Sequence, residues 1–505
     1  MSKQNAVFGS ARLAAPPSQA NLDHITQPML DSQKPYFYAF LQVDMAHTVM
    51  LAEQGILSAL QAGSILKLLR EIDELGPDRF RMDPRVGSFL IQVEKYIIDR
   101  IGEDIAGRMH TGRSRNDQTT AVDRLFVRDR LLAVLEALLA LQDVVLKMAG
   151  DHSQTLMPGY THLQHAQPTT FGHHLMRYFY ILERDQQRVE SAFVRTNRSA
   201  LGGAAMAGTS WPLRRERTAE LLGHDGLVEN SYDCGIFARD YPAENTAALS
   251  ILMNTLGQLA GDLYVWSTWE FGMVEIADSL AGTSSIMPQK KNPHSLERIR
   301  GLAGAAIGWL PAVLGTLRSA TSSDLDLYFS VDPTAQQVDA TLSALALMQT
   351  TLETMTINTD VMSRRAGIFW STASNLADEI VRQADISFRT AHHVVGRLVR
   401  NRVAEGVTPS EVTREMLERA SQEAIGRRLA LPEGLVRQAL DPEAFIHTRV
   451  TPGSPNPVAL REMIRDGEGR EASHREWHAR ACEKVVRARQ ELDRQVQQYV
   501  KGIVL

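Results

Sequence analysis

Between Thr119 and Met148 the apolar residues Leu131, Val134, Leu138, Leu141, Val145 and Met148 recur at spacings of 3, 4, 3, 4 and 3. That period fits a long helix laid against a near-parallel neighbour, and such a stripe must be answered by other helices of similar length. Apolar-rich runs over about 168–195, 243–275, 293–318 and 333–357 supply them, and no convincing set of alternating strands interrupts the pattern. The chain therefore reads as mostly α, built on a long central helix bundle. Since the stripes are scaffold, chemistry is to be sought where the helices begin and end.

Between 358 and 380 the pattern weakens, and shorter helices with Gly and Pro breaks follow. This divides the sequence into an N-terminal arm and helical domain (1–118), a central long-helix bundle (119–365) and a C-terminal helical domain (366–505). Residues 449–457 hold three prolines in nine positions, which makes them a loop. Met1 to Asp23 lacks the apolar block of a secretory signal and reads as a flexible arm. Gly301–Leu317 is uncharged and apolar, but Pro311 interrupts it and it falls short of the about 20 residues a span needs, so a buried core helix is expected and no membrane partner. A net charge of −5 offers nothing to a polyanion, which argues against nucleic acid as a partner. Cys234 and Cys482 give neither a disulfide framework nor metal-ligand spacing, and a reducing, cytoplasmic compartment fits them.

Three junctions concentrate reactive side chains. AGTSSIMPQKKNP (Ala281–Pro293) combines a serine pair, two lysines and an Asn-Pro helix start, with Asn292 as N-cap and Pro293 as first helical residue. A loop ending on a helix N-terminus favours a carboxylate or phosphate, and Lys290 and Lys291 add full charge. HTGRSRNDQ (His110–Gln118) precedes the long helix and joins two arginines to Ser114, Asn116 and Asp117, all capable of capping. PGYTHLQHAQP (Pro158–Pro168) precedes another, with Thr161, His162, Gln164 and a first-turn proline, Pro168. Each alone has an ordinary reading: solvated lysines, a structural histidine, an ion-paired arginine. Three anion-equipped junctions on one α-scaffold point instead to a substrate with more than one carboxylate.

These three runs resemble the signature regions of the fumarase/aspartase superfamily, and in detail those of argininosuccinate lyase. The resemblance covers about residues 90–465 and extends to Ala391–Gly396, Leu440–Pro442 and Thr451–Gly453. It implies a three-domain fold whose central bundle tetramerises, with each active site drawn from three subunits and with neither metal nor organic cofactor. It also implies β-elimination: an amine or guanidine leaves an N-substituted aspartate and fumarate is released, or the reverse addition. Ser284 matches the family's base, Lys290 and Asn292 its carbanion stabilisers, His162 the histidine of the leaving-group side or charge relay, and Glu297 that histidine's acidic partner. Arg113, Ser114, Arg115, Asn116, Thr161, Gln164, Ser285, Met287 and Asn292 match its substrate-holding positions. The chemistry agrees, because the carbanion is reachable only when cations and N–H donors wait around the adjacent carboxylate, and a serine needs positive charge nearby to serve as base.

Departures from the family pattern fall on the substrate-holding side. Met29–Tyr38 lacks the family's N-terminal element for the arginine portion, Thr321–Ser330 lacks its Tyr, Gln and Lys in register, and Thr283 and His294 stand where Gly and Asp are usual. The expectation is retained elimination with an altered amine. The alternatives are an ordinary argininosuccinate lyase and a catalytically silent structural or regulatory homologue.

Overall fold

The computed structural model describes residues 15–235, 240–318 and 332–502. An N-terminal layer of α1 (Phe37–Glu53), α2 (Ala59–Arg79) and α3 (Phe89–Ile101) leads into α4 (Arg115–Asp151), the helix announced by the 3,4 stripe. Ser114 starts α4 through a capping box with Asp117, and Leu131, Val134, Leu138, Leu141 and Val145 are all fully buried. At 1.5 Å per residue its 37 residues reach about 55 Å. Alongside it run α5 (Phe171–Thr196), α7 (Asp240–Trp266) and α10 (Asp332–Thr354); α6 (Arg215–Leu222) is a short connector, and α8 (His294–Ala306) with α9 (Trp309–Leu317) packs on α7. One core runs through all of these long helices.

A second, smaller core is built from α12 (Ala373–Ala384), α13 (Phe388–Ala404), α14 (Arg414–Ile425) and α15 (Glu433–Leu440), around Leu376, Ile380, Val394, Leu398 and Leu417. Between the cores, α11 (Thr359–Gly367) lies against a β-hairpin described below. The last helix, α16 (Pro457–Val500), leaves the small core and returns to the large one, where Leu460, Val485, Leu492 and Val496 are buried. Segment 366–505 is thus divided between two cores, since α16 packs on α4 and α2.

Two expectations are corrected. The arm is helical from Gln19 onward, capped by Ser18, whose hydroxyl accepts from the Asn21 N–H; residues 1–14 lie outside the described ones. Gly301–Leu317 is not a buried core helix. It belongs to a stretch, His294–Leu317, that is long and apolar enough to cross a membrane by length and composition, yet only 22% of its most apolar 18-residue window is buried. Only one side meets α7, leaving Ile307 73% and Leu314 51% exposed.

Candidate active site

The His110–Gln118 run is locked into the fold. Asp117 receives four backbone N–H groups: Ser114 (2.8 Å) and Gln118 (3.1 Å) on one oxygen, Gly202 (2.8 Å) and Ala204 (3.0 Å) on the other. Burial outweighs these donors and pushes its carboxyl up to about 6. Arg113 turns inward, where its Nη1 donates to Asp44 at 2.6 Å with both side chains fully buried, and Gln118 donates to the same oxygen at 2.5 Å. Arg113, expected on the substrate-holding side, is buried in this pair, where its guanidinium anchors the loop. Ser114 is spent partly on the cap, accepting from the Asn116 N–H at 3.3 Å. Arg115 is exposed, and Ser114 and Asn116 are half-buried at the helix start.

The second run forms a hairpin, which sequence reading missed. β1 (Leu156–Thr161) pairs antiparallel with β2 (Gln164–Thr170), with Pro158 opposite Pro168 and Thr161 opposite Gln164. Pro168 is thus a strand residue, correcting its assignment to a first helical turn; Thr170 caps α5 by accepting from the His173 N–H at 3.1 Å. Proline has no N–H to give the ladder, so a proline in each run argues against strands when the sequence is read alone. The turn is His162–Leu163, both left-handed at φ 56°. Such two-residue turns normally take Asn-Gly, and bulky residues held there are strained, a feature that gathers at functional sites. Thr161, His162 and Gln164 are all exposed at this tip. The imidazole of His173, just inside α5, hydrogen-bonds the Thr169 hydroxyl (2.8 Å) and the Gly453 carbonyl (2.9 Å), fastening the hairpin base to the 449–457 loop.

The third run is a loop on a narrow base. β3 (Gly282–Thr283) pairs with β4 (Lys291–Asn292), Gly282 opposite Asn292. Asn292 is therefore a strand residue and not an N-cap; Pro293 occupies that position with no side-chain cap, so α8 begins at His294 with its first N–H groups uncapped by any side chain. The His294 ring packs so closely on Gly282 that an added Cβ would fall 1.7 Å from it. Within the loop the Ser284 hydroxyl accepts from Met287 N–H at 3.1 Å. The two lysines separate in role: Lys291 pairs with Glu275 (2.8 Å) and Asp278 (2.7 Å), which raise its pKa, Asp278 foremost. Lys290 has no ion-pair partner among the described residues and is exposed, as are Ser285, Met287 and Glu297, while Ser284 and Asn292 are half-buried. Among the described residues no hydrogen bond or ion pair of one chain joins His162 to Glu297, Ser284 or Lys290. No group of three metal-ligating side chains occurs among them either. Asp324, Asp326 and Tyr328 lie outside the described residues.

Sequence reading missed one further segment, the turn at 202–204 held by Asp117. Gly202 and Ala204 take φ of 90° and 52°, and a Cβ on Gly203 would fall 2.3 Å from Cys234. Its signal was the small-residue run Gly202-Gly203-Ala204-Ala205.

A family model described as lyase matches residues 26–308, and one described as argininosuccinate lyase C-terminal matches 370–447. The argininosuccinate lyase of Methanosarcina mazei is 40% identical over 86% of this chain and 87% of its own length, and that of Methanothermobacter thermautotrophicus 41% identical over 85% and 92%. Among solved structures, an EDDS lyase variant with bound fumarate superposes with a TM-score of 0.87 at 34% identity, covering 97% of both chains. The helix bundle and its three junctions thus define a carbon–nitrogen lyase of the fumarase/aspartase superfamily. More narrowly, the chain belongs to the argininosuccinate lyase family.

Proposed function

We propose that this lyase eliminates an amine from an N-substituted aspartate and releases fumarate, with an amine other than the guanidine of argininosuccinate. Ser284 takes the proton from the carbon beside one carboxylate. The electron pair left behind forms the C=C bond as the C–N bond breaks, and the nitrogen departs with a proton supplied from the His162 side. Lys290, Asn292 and the start of α8 stabilise the carbanion's carboxylate, and Ser114, Arg115, Asn116, Thr161 and Gln164 hold the substrate, with Ser285 and Met287 beside the base. Glu297 orients His162 and favours its protonated form.

One observation carries this reading. Lys290, His162 and Glu297 stand exposed without side-chain partners among the described residues, while Arg113 and Lys291, from two of the same three runs, are committed to ion pairs. The absence of any hydrogen bond or ion pair joining His162 to Lys290 or Glu297 within one chain among the described residues, together with the exposed apolar residues of α8 and α9, supports a homotetramer in which three copies complete each site. The bound fumarate of the EDDS lyase neighbour supports fumarate as product. The reading includes a cytoplasmic setting and a reaction needing no cofactor. Following fumarate's ultraviolet absorbance with argininosuccinate and with a panel of N-substituted aspartates tests it: turnover of the panel in preference to argininosuccinate is expected. Efficient turnover of argininosuccinate would establish the second reading, an ordinary argininosuccinate lyase, which the 40% identity to the Methanosarcina enzyme favours.

A further inference from the structure

Two apolar side chains stand in solvent on or against the hairpin that carries His162. Leu163 shares the turn with His162 and is 68% exposed, and Phe369 is 71% exposed. Phe369 reaches the hairpin through His165, on which its ring stacks at 5.5 Å and 30°. His165 follows Leu163 by two residues, just inside β2. Behind this stack His165 meets Tyr160 edge-on (5.1 Å), and Tyr160 meets Phe271 (5.7 Å), so the exposed ring rests on a packed aromatic row.

The backbone presenting Phe369 is strained. Phe369 and Trp370 both take left-handed conformations, φ 74° and 62°, which bulky residues avoid. Trp370 packs on the small core, but the same backbone leaves most of the Phe369 ring in water, and strain of this kind gathers at functional sites. The nearby cation is Arg365, whose guanidinium lies 5.8 Å from the Phe271 ring and donates to the Glu270 carbonyl. It also holds the His165 pKa down, after burial itself.

Resting on the elimination reading above, in which His162 faces the leaving nitrogen, we infer that Phe369 and Leu163 form an apolar wall for the amine half of the substrate. The amine so selected carries an aryl or branched alkyl group close to nitrogen. A guanidinium tail is disfavoured there twice, by the apolar wall and by the like charge of Arg365.

The test compares N-benzylaspartate, N-(2-hydroxyethyl)aspartate and argininosuccinate on the full-length protein by fumarate absorbance. The wild type is expected to show a KM for the benzyl substrate at least about tenfold below the other two, the discrimination an apolar pocket gives for a few methylenes. Phe369→Ala is expected to raise the benzyl KM about tenfold and leave the hydroxyethyl KM and both kcat values within about twofold, and Phe369→Leu to recover most of the loss. Equal effects of Phe369→Ala on both substrates, or a wild-type preference for argininosuccinate, would overturn the wall. Absence of fumarate from all three would overturn the wall, and absence from the wider panel of N-substituted aspartates as well would overturn the elimination reading itself.

Discussion

The 110–118 junction buries its arginine against Asp44 and ties its aspartate to four backbone N–H groups, whereas the 284–290 loop leaves Lys290 in solvent and is closed only by two residue pairs at its base. Both carry an anion-binding composition, so composition alone does not say how a site is held. In the first, the geometry of Ser114 and Asn116 is fixed by the fold before any ligand arrives, at the cost of sealing Arg113 away. In the second, Lys290 and Ser285 stay exposed, and on the proposed reading substrate or another copy of the chain completes the site around them.

Replacing the proposed base sharpens this contrast most. Ser284→Ala should lower kcat about a thousandfold, about 4 kcal/mol of barrier, with the thermal midpoint unchanged. A destabilised protein with near-normal turnover would break the contrast. On the locked side, Asp44→Asn leaves a buried guanidinium without its counter-charge and should cost about 3–5 kcal/mol in denaturant unfolding. Replacing both partners, Asp44→Asn with Arg113→Met, should return most of that stability.

A pH series probes the same junction more gently. The Asp117 carboxyl, raised by burial to about 6, contributes stability that is full below the unfolded value near 4 and is lost as pH rises through about 6. The unfolding free energy of the wild type minus that of Asp117→Asn should therefore shrink by up to about 3 kcal/mol across this window. A difference that grows with pH would show the four N–H donors outweighing burial. The smallest effect belongs to the exposed loop base, where Lys291→Ala should change stability by less than about 1 kcal/mol, and less still in high salt.

The bundle was plain in the sequence because the 3,4 stripe of α4 depends on local spacing alone. So were the three junctions, since their residue types announce charge and capping. What stayed hidden depends on distant partners or on strain. Nothing near Arg113 reveals that Asp44, 69 positions away, draws it inward. His162 and Leu163 carry no turn signature, since Asn and Gly are the usual residues where both positions are left-handed. Lys290 and Lys291 are indistinguishable until Glu275 and Asp278 appear beside one of them.

The return of α16 to the first core bears on the order in which the protein can be made. Its 44 residues are the last described helix, and the Tyr499 carbonyl sits 2.6 Å from where a Cβ on Gly63 would lie. The earliest helices therefore wait, with apolar surface uncovered, until α16 has left the ribosome. A nascent chain stopped before Val485 is expected to be cut readily by protease in α2 and α4, sites that the finished protein protects.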